Sequence, residues 1–160
     1  EQHSMFPPQF IARGRIANGL EISSKKRLLE VLAELLASEV PDLSPETVFE
    51  RLLERERLGS TGLGHGIALP HARMKNVDQA IGAFVQLRSG VDFDAIDDEP
   101  VDLAFAMLVP EAASETHLQL LSKLATMFDN RGLRDRLREA ADRDGILALL
   151  VDNEEQTGDG

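Results

Sequence analysis

Leu28, Leu32, Leu35 and Leu36 fall on one face of a helical repeat, with Ser24 placed to cap its start and Pro41 just past its end. A helix is therefore expected from Lys25 to about Glu39. Ser44-Pro45 opens a second helix, because serine can accept an orphan N–H and proline fits the first turn. Its buried stripe is Val48, Phe49, Leu52 and Leu53, and it should run to about Arg57 and stop at Gly59. Gly66 to Leu69 reads as a short apolar strand. Ile81, Ala83, Val85 and Leu87 alternate with other residues, which predicts a strand with two different faces. Asp92 to Pro100 is acidic and loop-like. Val101 to Val109 is almost continuously apolar, as in a central strand covered on both sides, and Pro110 ends it. Ser114 would cap a third helix carrying Leu118, Leu121, Leu124, Ala125 and Phe128, with Gly132 after its end. A helix with Leu133 and Leu137 and a last one with Ile146, Leu149 and Leu150 complete the order. Strands interleaved with helices indicate an α/β fold with helices on both faces of a sheet.

The two ends lack such a period. Residues 1–23 read as a lead-in that packs on the domain, with one short strand near Leu20 to Ile22, and residues 1–4 as a remnant ahead of a native start at Met5. Residues 24–152 form the domain proper, and residues 153–160 read as a polar, mobile tail. There is no internal repeat and no interdomain linker, so the site residues must meet within one compact unit.

Composition narrows the class. A chain of 160 residues suits one domain, without a bilayer-length apolar run or a signal pattern. A soluble cytoplasmic protein with no membrane insertion is expected. Cysteine is absent, which removes disulfides and thiolate metal sites. With 28 acidic against 17 basic residues the net charge is −11, a field that repels nucleic acid and anionic membranes. The same field favours a partner with a basic face, or simply keeps the domain in solution.

The stretch that carries chemistry is Gly59 to Arg73, Gly-Ser-Thr-Gly-Leu-Gly-His-Gly-Ile-Ala-Leu-Pro-His-Ala-Arg. Four glycines and a Ser-Thr pair leave backbone N–H groups and hydroxyls free to surround a small anion. Two histidines, His65 and His71, sit in or just after that loop, and a neutral imidazole nitrogen is a nucleophile near pH 7. Phosphoryl chemistry on imidazole follows as the leading reading. Arg55 and Arg57 would lie on the last turn of the second helix, where cations also serve the helix macrodipole alone. His117 would lie in the first turn of the third helix, where N–H groups attract anions; a buried histidine bonded to a carbonyl would look the same in sequence.

The run Arg55-Glu56-Arg57-Leu58-Gly59-Ser60-Thr61-Gly62, followed by Gly64, Gly66-Ile67-Ala68 and Pro70-His71, resembles the signature of the fructose/mannitol-type enzyme IIA domains of the phosphoenolpyruvate:sugar phosphotransferase system. The likeness is greatest to the nitrogen-regulatory form. It extends from Ser24-Lys25-Lys26-Arg27 through Phe93 to Asp97 and Pro100 to Leu103 as far as Thr116-His117-Leu118. The resemblance implies a mixed β-sheet flanked by helices on both faces. It makes His71 the phosphoryl acceptor through Nε2, His117 a hydrogen-bond donor to the phosphoryl group, and Arg55 the group that stabilises its charge. Arg57 is the reserve candidate. Ser60, Thr61 and Gly62 would bind phosphate, although Ser-Thr beside glycine is also ordinary turn chemistry. Family members usually carry Asn or Glu where this chain has His65, so that residue would line the cleft as a polar neighbour or offer a second phosphorylation site.

Rival chemistries fit less well. The glycines follow a helix, where a dinucleotide fingerprint needs a strand, and no Gly-Lys-Ser/Thr of a P-loop is present. No His-Glu-x-x-His helix or cysteine pair supports zinc, so neither metal nor cofactor is expected. The resemblance implies a phosphocarrier of the HPr or NPr type as donor. It leaves two roles open: a regulator whose phosphorylation state selects partner proteins, or the EIIA component of a fructose/mannitol-type uptake system that passes the group to an EIIB domain.

Overall fold

The computed structural model describes the backbone of residues 7, 9–112 and 115–159, and side chains as far as residue 152. After a short turn at Arg13–Arg15, the elements in order are β1 (Ile16–Leu20), α1 (Lys25–Ala37), α2 (Pro45–Leu58), β2 (Gly62–Gly64), β3 (Ile67–Ala68), β4 (His71–Met74), β5 (Ile81–Val91), β6 (Val101–Pro110), α3 (Glu115–Phe128), α4 (Arg131–Glu139) and α5 (Arg143–Asp159). Both early caps form as the sequence suggests: Ser24 Oγ accepts from Arg27 N–H at 3.1 Å, and Ser44 Oγ from Thr47 N–H at 3.3 Å. The cap expected at Ser114 lies outside the described residues.

One sheet runs in the order β1-β5-β6-β3-β2, with β4 also paired to β6. β1 lies parallel to β5 and β5 antiparallel to β6; β3 and β4 run parallel to β6, and β2 folds back on β3. The sheet is therefore mixed. β6 is its centre, and its alternate residues feed two cores. Ala104, Ala106 and Leu108 face Leu28, Leu32, Leu36, Val48 and Leu52 of α1 and α2. Leu103, Phe105, Met107 and Val109 face Leu120, Leu124, Phe128, Leu133, Leu137 and Ile146 of the last three helices. This two-sided burial explains the unbroken apolar run of β6. β5 behaves likewise, with Ala83 and Val85 in one core and Phe84 in the other.

Five elements differ from the sequence reading. The lead-in strand is Ile16–Leu20, not Leu20 to Ile22, because Ile16 inserts into the second core and pairs with Phe84. The expected strand from Gly66 to Leu69 shrinks to Ile67–Ala68, and separate strands flank it at Gly62–Gly64 and His71–Met74. Where a polar tail was expected from residue 153, α5 continues as helix through Asp159.

Buried polar groups fasten the layers. Gln86 donates to the carbonyls of Leu137 at 2.7 Å and Ala140 at 3.0 Å, and its Oε1 accepts the Gly19 N–H at 2.9 Å. It thereby ties β1 and the end of α4 to β5. Gln86→Leu keeps the volume but leaves three backbone groups without that partner, and should cost about 2–3 kcal/mol in urea unfolding.

Candidate active site

Residues along one side of β6 build the site. β3 and β4 lie on the same register along β6, with Ile67 opposite Leu103 and His71 opposite Met107, and the line is interrupted at Leu69-Pro70. Proline has no N–H to give a ladder, so the interruption falls there. Its neighbours are nonetheless held: Leu69 N–H donates to Thr61 O at 3.0 Å, and Met107 N–H donates to Pro70 O at 2.9 Å. The Leu69 carbonyl accepts from Nδ1 of His71 at 2.8 Å. A carbonyl can only accept, so Nδ1 carries the hydrogen and Nε2 keeps the lone pair.

His71 opens onto a cleft of about 520 Å³ that is also lined by Arg55 and His117, with Arg51, Glu54, Leu58, Arg73, Leu118 and Leu121 around them. Three elements distant in sequence thus bring together the three leading candidates: the last turn of α2, the start of β4 and the first turn of α3. A second cleft, about 320 Å³, shares Arg55 and His71 and adds Ser60, Thr61 and Leu63. Arg55 donates from Nη1 to the Gly59 carbonyl at 2.8 Å, which seats the guanidinium against the end of its own helix. Burial pushes the His71 imidazole below the ordinary value of 6.5. The Leu69 carbonyl opposes that shift, the Arg55 guanidinium reinforces it, and the Glu56 carboxylate opposes it. The net shift favours the neutral ring.

The glycine loop is committed differently from a bare anion cradle. Ser60 Oγ donates to the Phe93 carbonyl at 2.9 Å and accepts from the Gly62 N–H at 3.0 Å. Thr61 is 5% exposed and gives its hydroxyl hydrogen to the buried Glu56 carboxylate, which also accepts the Thr61 N–H at 3.2 Å. Gly62 packs against Ala95, where an added Cβ would stand 2.7 Å from the alanine Cβ. Arg57 is exposed and lines neither of these clefts.

His65 lies elsewhere. It lines a separate cleft of about 510 Å³ with Asp97, Glu99, Asp102 and Arg138, not the one that holds His71. Its backbone sits at φ 58°, its N–H donates to Asp97 at 2.9 Å and its carbonyl accepts from Arg138 at 2.6 Å. These backbone bonds hold His65 at that separate cleft. Among the described residues, no group of His, Cys, Asp and Glu is placed to hold a metal ion.

Sequence reasoning missed Arg51 and Arg73, and the signal was available. Arg51 stands one turn before Arg55 on α2, and Arg73 stands two residues after His71 on a strand, so each shares a face with a recognised candidate. It also missed Glu56, since a carboxylate between two arginines on a last turn reads as a solvated charge.

The model of the family described as "Phosphoenolpyruvate-dependent sugar phosphotransferase system, EIIA 2" matches residues 9–153. The chain belongs to this EIIA family. Among its relatives is the nitrogen regulatory protein of Pseudomonas aeruginosa, 47% identical over 144 residues, which span 90% of this chain and 94% of that one. The fructose-specific EIIA component of Haloferax volcanii is 37% identical over 132 residues, 81% of this chain and 84% of that relative. The crystal structure of the nitrogen regulatory protein IIA-Ntr from Neisseria meningitidis aligns with a TM-score of 0.83 at 45% identity, covering 88% of this chain and 96% of that one. IIA mannitol from Escherichia coli aligns with a TM-score of 0.73 at 26% identity, over 88% of this chain and 98% of that structure. The mixed sheet with flanking helices is thus the architecture of mannitol-type EIIA domains, and membership implies a phosphotransferase role. Among the described residues of this EIIA, no helix is long and apolar enough to cross a membrane.

The electrostatics give a signed expectation. Because the folded-state pKa of His71 is depressed, the unfolded chain takes up this proton first as pH falls below about 6.5; stability is full above that pH and declines below it. NMR titration should place the His71 midpoint below 6.5, and Arg55→Ala should move it upward by removing a neighbouring cation.

Proposed function

We propose that His71 is the phosphoryl acceptor of this EIIA domain and takes its phosphoryl group from the phosphohistidine of an HPr- or NPr-type carrier. The observation that carries this reading is the His71 ring, with Nδ1–H donated to the Leu69 carbonyl, at the cleft shared with Arg55 and His117. Nε2 attacks phosphorus in line. The new N–P bond forms as the carrier's N–P bond breaks, and the electron pair returns to the carrier's imidazole. Nδ1 keeps its proton throughout. Such a transition state is loose, so alignment and charge stabilisation do most of the work. Arg55 meets the equatorial oxygens, one of its five N–H donors being already spent on Gly59. His117 donates a hydrogen bond to the same group, and Ser60 lines the adjoining cleft that shares Arg55 and His71, while the Gly62 N–H is already given to Ser60 Oγ. Leu58, 84% exposed, and Leu118, 53% exposed, form an apolar rim for the carrier to cover.

The domain then acts as a regulator. A neutral ring becomes a dianion-like group beside exposed leucines, which changes the docking face without refolding the domain. The likeness to nitrogen regulatory proteins supports this role. The fructose-specific EIIA relative, and the solved complex of E. coli IIAMTL with phosphorylated IIBMTL, favour a second reading in which the group moves on to an EIIB domain.

Intact mass after incubation with phosphoenolpyruvate, enzyme I and the carrier tests the transfer. One acid-labile phosphoryl group is expected, absent in His71→Ala and retained in His65→Ala; its retention in His71→Ala would sink the assignment. His117→Ala should slow acceptance by about 100-fold, since one transition-state donor is lost. A regulated partner should distinguish the two phosphorylation states, whereas rapid passage of the group to an EIIB domain would decide for uptake.

A further inference from the structure

The hydrogen bonds behind His71 form a continuous chain. Glu56, whose side chain is 2% exposed, accepts from the Thr61 hydroxyl and from the Thr61 N–H at 3.2 Å. The Thr61 carbonyl accepts the Leu69 N–H at 3.0 Å, and the Leu69 carbonyl accepts from Nδ1 of His71 at 2.8 Å. On the far side, Met107 N–H holds the Pro70 carbonyl at 2.9 Å. The peptide that carries the Leu69 carbonyl therefore lies between two held peptides, and the aim of that carbonyl selects which ring nitrogen keeps the proton. The Thr61 hydroxyl hydrogen already belongs to Glu56, so it is not offered to a bound phosphoryl group.

Resting on His71 as the acceptor, we propose that Glu56 and Thr61 are positioning residues: their contact sets the Leu69 carbonyl that holds His71 in its Nδ1–H tautomer and leaves Nε2 as the nucleophile. This assigns Thr61 a task other than phosphate binding and gives the buried carboxylate a part in the chemistry. A carboxylate kept only as the partner of Lys25, 3.1 Å away, would affect melting and leave the ring unchanged.

Thr61→Val removes the hydroxyl and keeps the shape, while Thr61→Ser restores it. Nitrogen-15 spectra of the histidine rings in the full chain read the tautomer without any phosphoryl donor. Wild type and Thr61→Ser should show the Nδ1–H form. Thr61→Val should show both tautomers in exchange, and its rate at saturating carrier should fall about tenfold with KM unchanged. A folded Thr61→Val with a pure Nδ1–H ring and the full rate would overturn the proposal. If that variant does not fold, Glu56→Gln takes its place: a mixed ring supports the proposal and an unchanged one defeats it. Should wild type accept no phosphoryl group from any carrier, the acceptor role fails, and the tautomer result still decides the positioning.

Discussion

The buried carboxylate of Glu56 is the constraint on which the site depends. It sits at the end of α2 and accepts from Lys25 Nζ, at the start of α1, and from the backbone and hydroxyl of Thr61. Taking a carboxylate out of water costs several kcal/mol, and it is tolerable only because an ammonium and two further donors surround it. Lys25 extends the junction: it donates to the Phe93 carbonyl at 3.2 Å and lies 4.4 Å from the Phe93 ring centroid. Ser60 donates to that same carbonyl. Two helix ends, the glycine loop and the acidic loop before β6 therefore converge on one cluster, and the loop is built as a braced turn.

From that brace the geometry reaches the imidazole through the proline break. An uninterrupted strand along β6 would have carried Leu69 and Pro70 through the ladder. The break lets the Leu69 carbonyl serve the ring two residues on, while the sheet still holds the peptides on either side. Local charge departs from the global balance here. The chain is acidic by 11 charges, yet Arg51, Arg55 and Arg73 surround the His71 cleft with Glu54 as the acidic residue among them. A doubly charged group carried on His71 would meet a favourable local field, whatever the long-range repulsion.

Much of the fold was legible in the sequence. Periodicity and capping located α1 and α2 closely, since Ser24, Ser44 and Pro45 act within a few residues of their targets. The continuous apolar run of β6 announced a strand with two cores, because burial on both faces removes alternation. Residue type alone left both histidines of the glycine stretch as candidates, and the resemblance of Ile67-Ala68-Leu69-Pro70-His71 to the family's pattern set His71 apart.

Other features depended on tertiary structure. Short strands such as β2, β3 and β4 have too few residues for a period, and their bounds are set by their partners, β6 for β3 and β4 and β3 for β2. His65 and His71 lie in one glycine-rich stretch, but the Asp97 and Arg138 contacts carry His65 into another cleft. Thr61 looked like a phosphate ligand until Glu56 was found to hold its hydroxyl. Sequence by itself determined the long helices and the two-faced core, which follow from local pattern, and its resemblance to the family nominated His71 as the reactive residue. The partner of each polar group was decided only by folding, because hydrogen bonds and burial join residues that no spacing rule connects.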